Sequence, residues 1–380
     1  MIKLESKSNC MGCSACHSIC PVSAIEMIED EEGFKYPIID YEKCISCGAC
    51  VRICPEKNLD YITKNIPECY AVYHKVDDIR LKASSGGIFW GIAKWILDNK
   101  GAVFGVGWND ECHVKYFAIE NIEKLDLLHG AKYVQASVDN YMINVKHLLE
   151  DGRWVLFSGT PCQVAGLKSY LKKDYEKLIC VDFVCHGVPS YHLLEKYTEY
   201  LFPNDKVDTV NFRSKKTGWH NYSFEAISCN KKRITDTVNK NLYMRAYLSD
   251  IALRPSCYNC NYKGVGRMSD FTIGDFWGIE NIDPVMDDNK GVSLMLLHSQ
   301  CAKKIWKDIS SNYIYKNELL EHVIKYNSAI VNRAHEPDTR KLFYKKLKKI
   351  KSSKLKEMIN KASNNTFLNK VVRKLGVIIK

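Results

Sequence analysis

The sequence of 380 residues predicts a mixed chain, of α/β or α+β class, in three parts. Eight of its seventeen cysteines fall between Cys10 and Cys54 and form an internal repeat, which indicates a small N-terminal domain. Strand-length apolar runs then alternate with helix-length periodic segments, the pattern of a larger α/β domain. Lysine-rich, helically spaced residues follow. We place the three parts at 1–67, 68–300 and 301–380.

The middle part carries the strand and helix signals. Its β-type runs predict strands at 102–108, 114–119, 154–158 and 178–184. Helical periodicity predicts helices at 138–149, 162–171 and 191–201. The runs 207–212 and 222–228 look antiparallel and favour the α+β class. From residue 299 onward, apolar residues at roughly helical spacing among lysines predict helices.

Composition and charge exclude several classes of protein. Apolar residues at 46% and charged residues at 26% exclude a disordered chain. No apolar run has the roughly 18 to 20 residues of a membrane span, and the first nine residues lack the apolar core of a secretory signal. These features predict a cytoplasmic protein, where disulfides would not explain the cysteines.

The net charge of +11 belongs to the C-terminal tail. Residues 331–380 hold fifteen basic and three acidic residues, so the first 330 residues hold forty basic and forty-one acidic ones. A folded body without excess positive charge argues against a nucleic-acid partner. The tail has two interpretations. It is either a solvated helix or a basic face for an anionic membrane or an acidic protein.

The N-terminal cysteines repeat the pattern Cys-x2-Cys-x2-Cys-x3-Cys-Pro twice. This is typical of two 4Fe-4S clusters, in which the fourth cysteine of each run ligates the other cluster. A pair of four-cysteine zinc sites is the alternative. We expect Gly12 and Gly48 to let the backbone approach inorganic sulfide. The rule assigns one cluster to Cys10, Cys13, Cys16 and Cys54, and the other to Cys20, Cys44, Cys47 and Cys50.

Ser84, Ser85, Gly86 and Gly87 precede an apolar helical stretch. Free N–H groups there would face an anion such as a dinucleotide phosphate. The simpler interpretation is a small-residue helix cap in a closely packed place. The segment is neither a P-loop nor a Rossmann fingerprint.

Four further cysteines come from three loops of the α/β domain. Cys162 and Cys185 follow predicted strands, where open α/β sheets place ligands, and Cys257 and Cys260 form a Cys-x2-Cys pair. They predict a third cluster, with zinc as a second reading. In a third reading Cys162 is a nucleophile of depressed pKa and His186 its base. We expect the remaining cysteines to be packing residues.

A combination of motifs resembles the coenzyme F420 hydrogenase/dehydrogenase β-subunit family over roughly residues 70 to 300. The resemblance implies a flavoprotein that binds FAD and a core 4Fe-4S cluster, with the ferredoxin-like unit attached in front. It implies a flavin pocket at Ser84 to Gly87 and at Lys132, Tyr133, Val134 and Gln135, and core-cluster ligands at Cys162, Cys185, Cys257 and Cys260. The motifs are Ser84-Ser85-Gly86-Gly87, Lys132-Tyr133-Val134-Gln135, Gly159-Thr160-Pro161-Cys162-Gln163, Cys185-His186-Gly187-Val188-Pro189-Ser190, Phe212-Arg213-Ser214-Lys215-Lys216-Thr217-Gly218-Trp219, Cys257-x2-Cys260 and Gly274-Asp275-Phe276-Trp277-Gly278.

Taken singly, Lys132, Tyr133, Trp219 and Trp277 also fit a solvated charge and packing aromatics. The resulting hypothesis is an iron–sulfur flavoprotein oxidoreductase. It would pass electrons between ferredoxin-type clusters and a flavin that exchanges hydride with a small molecule, F420-like or other. Its expected partners are a redox protein and that hydride acceptor or donor. Two alternatives are a non-catalytic electron-transfer subunit and a zinc-stabilised Cys-His hydrolase.

Overall fold

The computed structural model describes residues 2, 4, 6–57, 66–137 and 140–363. Its strands are β1 (Ile25–Glu29), β2 (Lys35–Ile39), β3 (Glu68–His74), β4 (Ala102–Trp108), β5 (Val114–Ile119), β6 (Val155–Ser158), β7 (Leu178–Phe183), β8 (Val207–Ser214), β9 (Ser223–Ser228), β10 (Arg233–Thr237), β11 (Phe271–Asp275), β12 (Ser293–Leu297) and β13 (Tyr313–Asn317). Its α-helices are α1 (Ala15–Ser18), α2 (Ala49–Arg52), α3 (Asp77–Lys82), α4 (Ile88–Asp98), α5 (Tyr141–Glu150), α6 (Pro161–Leu171), α7 (Tyr191–Leu201), α8 (Leu242–Leu248), α9 (Pro255–Tyr258), α10 (Ile279–Ile282), α11 (Gln300–Ile309), α12 (Leu320–Tyr326) and α13 (Arg340–Leu347). Residues 355–363 are also helical.

The main sheet is mixed and has eight strands in the order β13-β3-β12-β11-β7-β6-β4-β5. Its central strands β11, β7, β6 and β4 are parallel, and the flanking pairs are antiparallel. The mixed α/β class predicted from the sequence is therefore confirmed. Because the parallel strands end at one edge, the loops that follow β6, β7 and β11 lie together there.

Helices cover both faces of this sheet. On one face, α4 and α11 bury Ile92, Ile96 and Ile305 against β-strand residues that include Val103 and Ile179. On the other, α5 and α6 bury their apolar sides against the opposite face of the same strands. Strands buried on both faces read as continuous apolar runs, as in the central part of this chain.

A second core lies between the three-stranded antiparallel sheet β10-β9-β8 and helices α7 and α8. Two distant segments complete it. The β1–β2 hairpin contributes Phe34 and Tyr36, and α13 contributes Phe343 and Tyr344. The rings of Phe34 and Tyr344 are 5.7 Å apart, so the two ends of the described chain meet in this core.

The N-terminal module, which we define as residues 6–57, consists of the β1–β2 hairpin and the short helices α1 and α2. Arg340 of α13 holds its hairpin, donating two hydrogen bonds to the Glu32 carboxylate at 2.6 and 3.0 Å. Lys35 donates to Ser137 Oγ at 3.0 Å. The module is therefore packed on the α/β body through several polar contacts.

The C-terminal part departs from the prediction of helices alone. Tyr313–Asn317 forms β13 and pairs with β3, because an alternating aromatic run suits an edge strand. The predicted boundary at residue 300 falls inside α11. Leu347, expected beside lysines on a basic face, is buried in the second core, while Lys345 and Lys348 are exposed. The rest of the basic tail, 364–380, and the first two residues of the helix predicted at 138–149 lie outside the described residues.

Within the described part of the chain, no helix combines the length and the apolar character needed to cross a bilayer.

Candidate functional site

The first cysteine group surrounds a small cavity in the N-terminal module. It takes three members from the first run and one from the second: Cys10, Cys13, Cys16 and Cys54. Burial raises the pKa of the Cys13 thiol to about 12 and that of Cys16 well above its ordinary value. Because two of these four thiols are buried, they would need a cationic centre nearby in order to ionise.

The second group lines another cavity nearer the surface. It contains Cys20 with Cys44, Cys47 and Cys50. The fourth cysteine of each run thus lies with the first three of the other. Cys47 is exposed, and so are its neighbours Ile45 and Tyr41, with 62% and 65% of their surface open to solvent.

The repeat is visible in the backbone as well as in the cysteines. Gly12 and Ser46 occupy equivalent places and have φ of 73° and 54°, and Ser14 and Gly48 have φ of 66° and 72°. Each half thus has left-handed residues at the same two positions, with glycine at one of them. At Gly12 glycine also meets a packing need, because a Cβ would lie 2.9 Å from the Gln135 amide nitrogen.

The third group lies at the carboxyl edge of the parallel strands. Cys162 is the second residue of α6 after β6, Cys185 follows β7, and Cys257 and Cys260 come from α9 and the loop after it. All four line one pocket. Burial raises the pKa of each of Cys162, Cys185 and Cys257, that of Cys257 to about 12.

The spacing of the thiols separates the metal alternatives. Tetrahedral zinc with Zn–S bonds of about 2.3 Å would bring four sulfurs within about 3.8 Å of one another. In the described residues, no three cysteine sulfurs lie within 4.8 Å of one another; the triad that does is His220, Glu280 and Asp287, which contains no cysteine. Groups of four thiolates that converge at wider spacing fit a larger inorganic core such as 4Fe-4S.

The nucleophile reading of Cys162 has little support. Burial and the neighbouring thiols raise its pKa, where activation requires a lowered one. The Cys162 sulfur lies 3.1 Å from Thr160 Oγ1. His186 is directed to the Asp250 carboxylate, with 2.7 Å between Nε2 and Oδ1, and its ring packs edge-on against Tyr247.

The first and third groups are neighbours. A Cβ on Gly166, one turn after Cys162 in α6, would lie 2.6 Å from Cys13 Cβ, so Cys13 packs directly on that helix. Glu56, two residues after Cys54, accepts a hydrogen bond at 2.9 Å from Asn261, which follows Cys260. The groups therefore run from an exposed edge inward to the pocket.

The pocket extends beyond the third group along residues 132–135. The volume of its cavity is about 140 Å³. Burial lowers the pKa of the Lys132 amine to about 7, and the amine donates to the carbonyls of Leu128 and His129. Tyr133 stacks on Tyr247 with ring centres 4.9 Å apart.

Ser84–Gly87, by contrast, is not among the residues that line this pocket. Ser84 Oγ accepts from the Ala131 amide at 2.7 Å, and the Gly86 amide donates to Ser293 Oγ at 2.8 Å. A Cβ on Gly86 would lie 2.2 Å from the Val72 carbonyl oxygen, so glycine is required there for close backbone packing. Gly87, with φ of 89°, caps α4.

Two family descriptions match this chain. One describes the C terminus of the coenzyme F420 hydrogenase/dehydrogenase beta subunit and matches residues 152–321. The other describes a 4Fe-4S dicluster domain and matches residues 9–58. Residues 152–321 are thus similar to the C terminus of that beta subunit and residues 9–58 to a 4Fe-4S dicluster domain, in agreement with the resemblance read from the sequence. The two matches together support an iron–sulfur electron-transfer protein.

Among solved structures, a chain of the F420-reducing NiFe hydrogenase complex from Methanosarcina barkeri, studied as a xenon derivative, is similar in structure. The identity is 16% and the TM-score 0.47, over 84% of this chain and 96% of that one. No curated protein matches the sequence.

The F420 hydrogenase/dehydrogenase family region contains a buried polar cluster that the sequence reasoning did not assign. Asp275 Oδ1 accepts from Arg213 Nη2 and from the Trp219 indole N–H, both at 2.8 Å. Trp219 stacks on Trp277 with ring centres 4.9 Å apart, and Arg213 Nη1 lies 3.5 Å from the Tyr133 hydroxyl. The cluster connects two of the family-like motifs to the residue beside the pocket. The available signal was Asp275, the one charged residue in the aromatic motif 274–278.

Proposed function

We propose that this chain carries single electrons along its three cysteine groups and couples them to hydride exchange at a flavin. Along the path of the electrons, the first group would lie between the second group and the third, and the third group would lie next to the pocket. The observation that carries the proposal is the line of groups from exposed Cys47 to the pocket beside Lys132. The proposed metal ligands are the twelve cysteines of these groups.

The donor sets fit iron–sulfur clusters. Each group offers four thiols, and the spacing of the sulfurs is too wide for one zinc ion. Water has little access to the site of the first cluster, since Cys13 and Cys16 are buried. Burial of this kind is one of the factors that set a cluster's potential.

The pocket beside the third group fits a flavin in chemistry. Tyr133 and Tyr247 offer aromatic faces, Gln135 an amide, and Lys132 an amine whose lowered pKa lets it hold or release a proton near neutrality. A bound flavin would supply the conversion between one-electron and hydride chemistry. Ser84–Gly87 would act indirectly, since Ser84 supports the loop before Lys132 through the Ala131 amide.

The expected partners follow from the two ends of this line. Exposed Tyr41 and Ile45 beside Cys47 would face a redox protein. The open mouth of the pocket would admit a small hydride acceptor or donor, and the family description makes a deazaflavin of the F420 type the first candidate. The basic tail remains a separate proposal for an anionic membrane or an acidic protein.

Cofactor analysis of the anaerobically purified full chain tests the proposal. We expect about twelve irons and twelve acid-labile sulfides per chain, from four in each of three clusters, together with one flavin. Cys162→Ala should lose about four irons and keep about eight. Cys229→Ala, which removes an exposed thiol outside the groups, should keep all of them.

The outcomes separate the alternatives. Zinc in place of iron would refute the electron-transfer proposal. Twelve irons without flavin would favour an electron-transfer subunit whose substrate chemistry belongs to a partner. Loss of iron from Cys229→Ala to the same extent as from Cys162→Ala would contradict the assignment of the third group.

A further inference from the structure

Arg254 lies between the first and third cysteine groups and is buried, with 1% of its surface exposed. Its side chain reaches into the N-terminal module. Nε donates to the Cys10 carbonyl at 2.9 Å, Nη2 donates to the Lys35 carbonyl at 2.9 Å, and Nη2 lies 3.9 Å from Cys10 Sγ. Nη1 donates to Gln135 Oε1 at 3.1 Å, on the pocket side.

The backbone of the same residue is fixed to the third group. The Arg254 amide donates to the Val188 carbonyl, and the Cys257 amide donates to the Arg254 carbonyl, both at 2.9 Å. One residue thus touches a proposed ligand of the first group with its guanidinium and a proposed ligand of the third with its main chain.

The charge of Arg254 lacks the carboxylate partner that three other buried arginines have. Arg80, Arg213 and Arg340 each pair with a carboxylate at 2.6 to 2.8 Å. Within the described ranges, no carboxylate forms an ion pair with Arg254. A buried cation without a counter-charge is costly, and carbonyl dipoles and the Tyr36 ring, 4.2 Å from the guanidinium carbon, offset only part of that cost. Two nearby sulfurs can carry a negative charge: that of Cys10, 3.9 Å from Nη2, and that of Cys257, whose ionised form the Arg254 charge also favours.

We propose that Arg254 is a positioning residue that fixes the N-terminal module against the third group and raises the reduction potential of the cluster ligated by Cys10. The inference rests on the proposed function. Arg254 stabilises the negative charge that one added electron brings, because net charge and hydrogen bonds near the sulfurs set cluster potentials. Since arginine stays protonated, this contribution persists at every physiological pH.

The test is an EPR-monitored redox titration of the anaerobically purified full chain. In Arg254→Gln, the equilibrium constant for reduction of the cluster ligated by Cys10 should fall at least tenfold. For a one-electron couple this lowers its reduction potential by 59 mV. The component from the second group should stay unchanged, and any shift of the third group's component should be smaller, because the hydrogen bond of the guanidinium goes to Cys10. Arg254→Lys keeps the charge but cannot hold all the acceptors at once, so its shift should be in the same direction and smaller.

Arg340→Gln is the matched control. Arg340 is also buried, bonds to Glu32 of the same module and donates to the Leu253 carbonyl, yet none of its hydrogen bonds goes to a cysteine. It should leave all three potentials unchanged. An equal shift in Arg340→Gln would mean that loosened docking, rather than the guanidinium beside Cys10, sets the potential, and would overturn the inference.

Iron content keeps the two proposals apart. If wild-type protein lacks about twelve irons, the proposed function fails. If iron is complete and both Arg254 variants keep wild-type potentials, the role of Arg254 alone is refuted. If Arg254→Gln does not assemble, iron-replete Arg254→Lys decides, and an unchanged potential there overturns the inference.

Discussion

Asp275 offers a sharp test of the buried polar cluster. Its Oδ1 is the shared acceptor for Arg213 and Trp219, and the Arg213 and Asp275 side chains are only 2% and 15% exposed. Asp275→Ala would leave a guanidinium without its counter-charge and an indole N–H without its acceptor. Both losses occur where water has little access, so neither is easily compensated.

The expected cost follows from these two contacts. Breaking a buried ion pair by removing one partner costs about 3 to 5 kcal/mol. The lost hydrogen bond to Trp219 adds about 1 kcal/mol. Asp275→Ala should therefore lower the free energy of unfolding by about 4 to 6 kcal/mol. Asp275→Asn removes the charge but keeps one oxygen as a hydrogen-bond acceptor. We therefore expect it to lower the free energy of unfolding by roughly half as much as Asp275→Ala.

Denaturant unfolding followed by near-ultraviolet circular dichroism measures the effect, since the stacked Trp219 and Trp277 give a local signal. Asp126→Asn is the control. Asp126 pairs with Lys82 at the surface, where both side chains are more than half exposed, and its loss should cost at most about 1 kcal/mol. A cost below 1 kcal/mol for Asp275→Ala would falsify the argument from burial.

Three further predictions concern other parts of the molecule. Gly86→Ala places a methyl group 2.2 Å from a backbone oxygen of β3, and overpacking should cost at least about 1 to 3 kcal/mol; an unchanged unfolding midpoint would contradict this. Glu32→Gln leaves the Arg340 guanidinium without its carboxylate, so trypsin should cleave the N-terminal module at least tenfold faster, and wild-type cleavage rates would speak against the contact. Burial lowers the pKa of Lys132 from about 10.4 to about 7, so between these values the unfolded chain binds more protons and stability should rise with pH. Lys132→Met should flatten that rise in unfolding curves measured from pH 7 to 10, and an identical slope would show that Lys132 titrates normally.

Local patterns predicted much of the fold. The strands at 102–108 and 114–119 coincide with β4 and β5, and the helix at 191–201 coincides with α7. These segments have a clear period and clear ends. The strands β11 and β12 were not separated from their surroundings, because β12 is apolar throughout and shows no alternation.

The candidate site was predictable where ligands share a short loop and not where partners are distant in sequence. The cysteine repeat reveals its pairing through spacing alone. Nothing near Arg254 in sequence indicates that it reaches Cys10, 244 positions away. The same holds for Asp275, whose partners come from another motif. The close packing of Gly86 against β3 and β12 likewise depends on residues distant in sequence.

The meeting of the two chain ends has a consequence for biosynthesis. Glu32 and Phe34 contact Arg340 and Tyr344, so the surface that receives the N-terminal module is incomplete until the ribosome has translated residues 340–344. Until then, a nascent chain would expose its first cysteines. Iron and sulfide that were delivered after residues 340–344 had folded onto the module would bind thiols already at their final spacing.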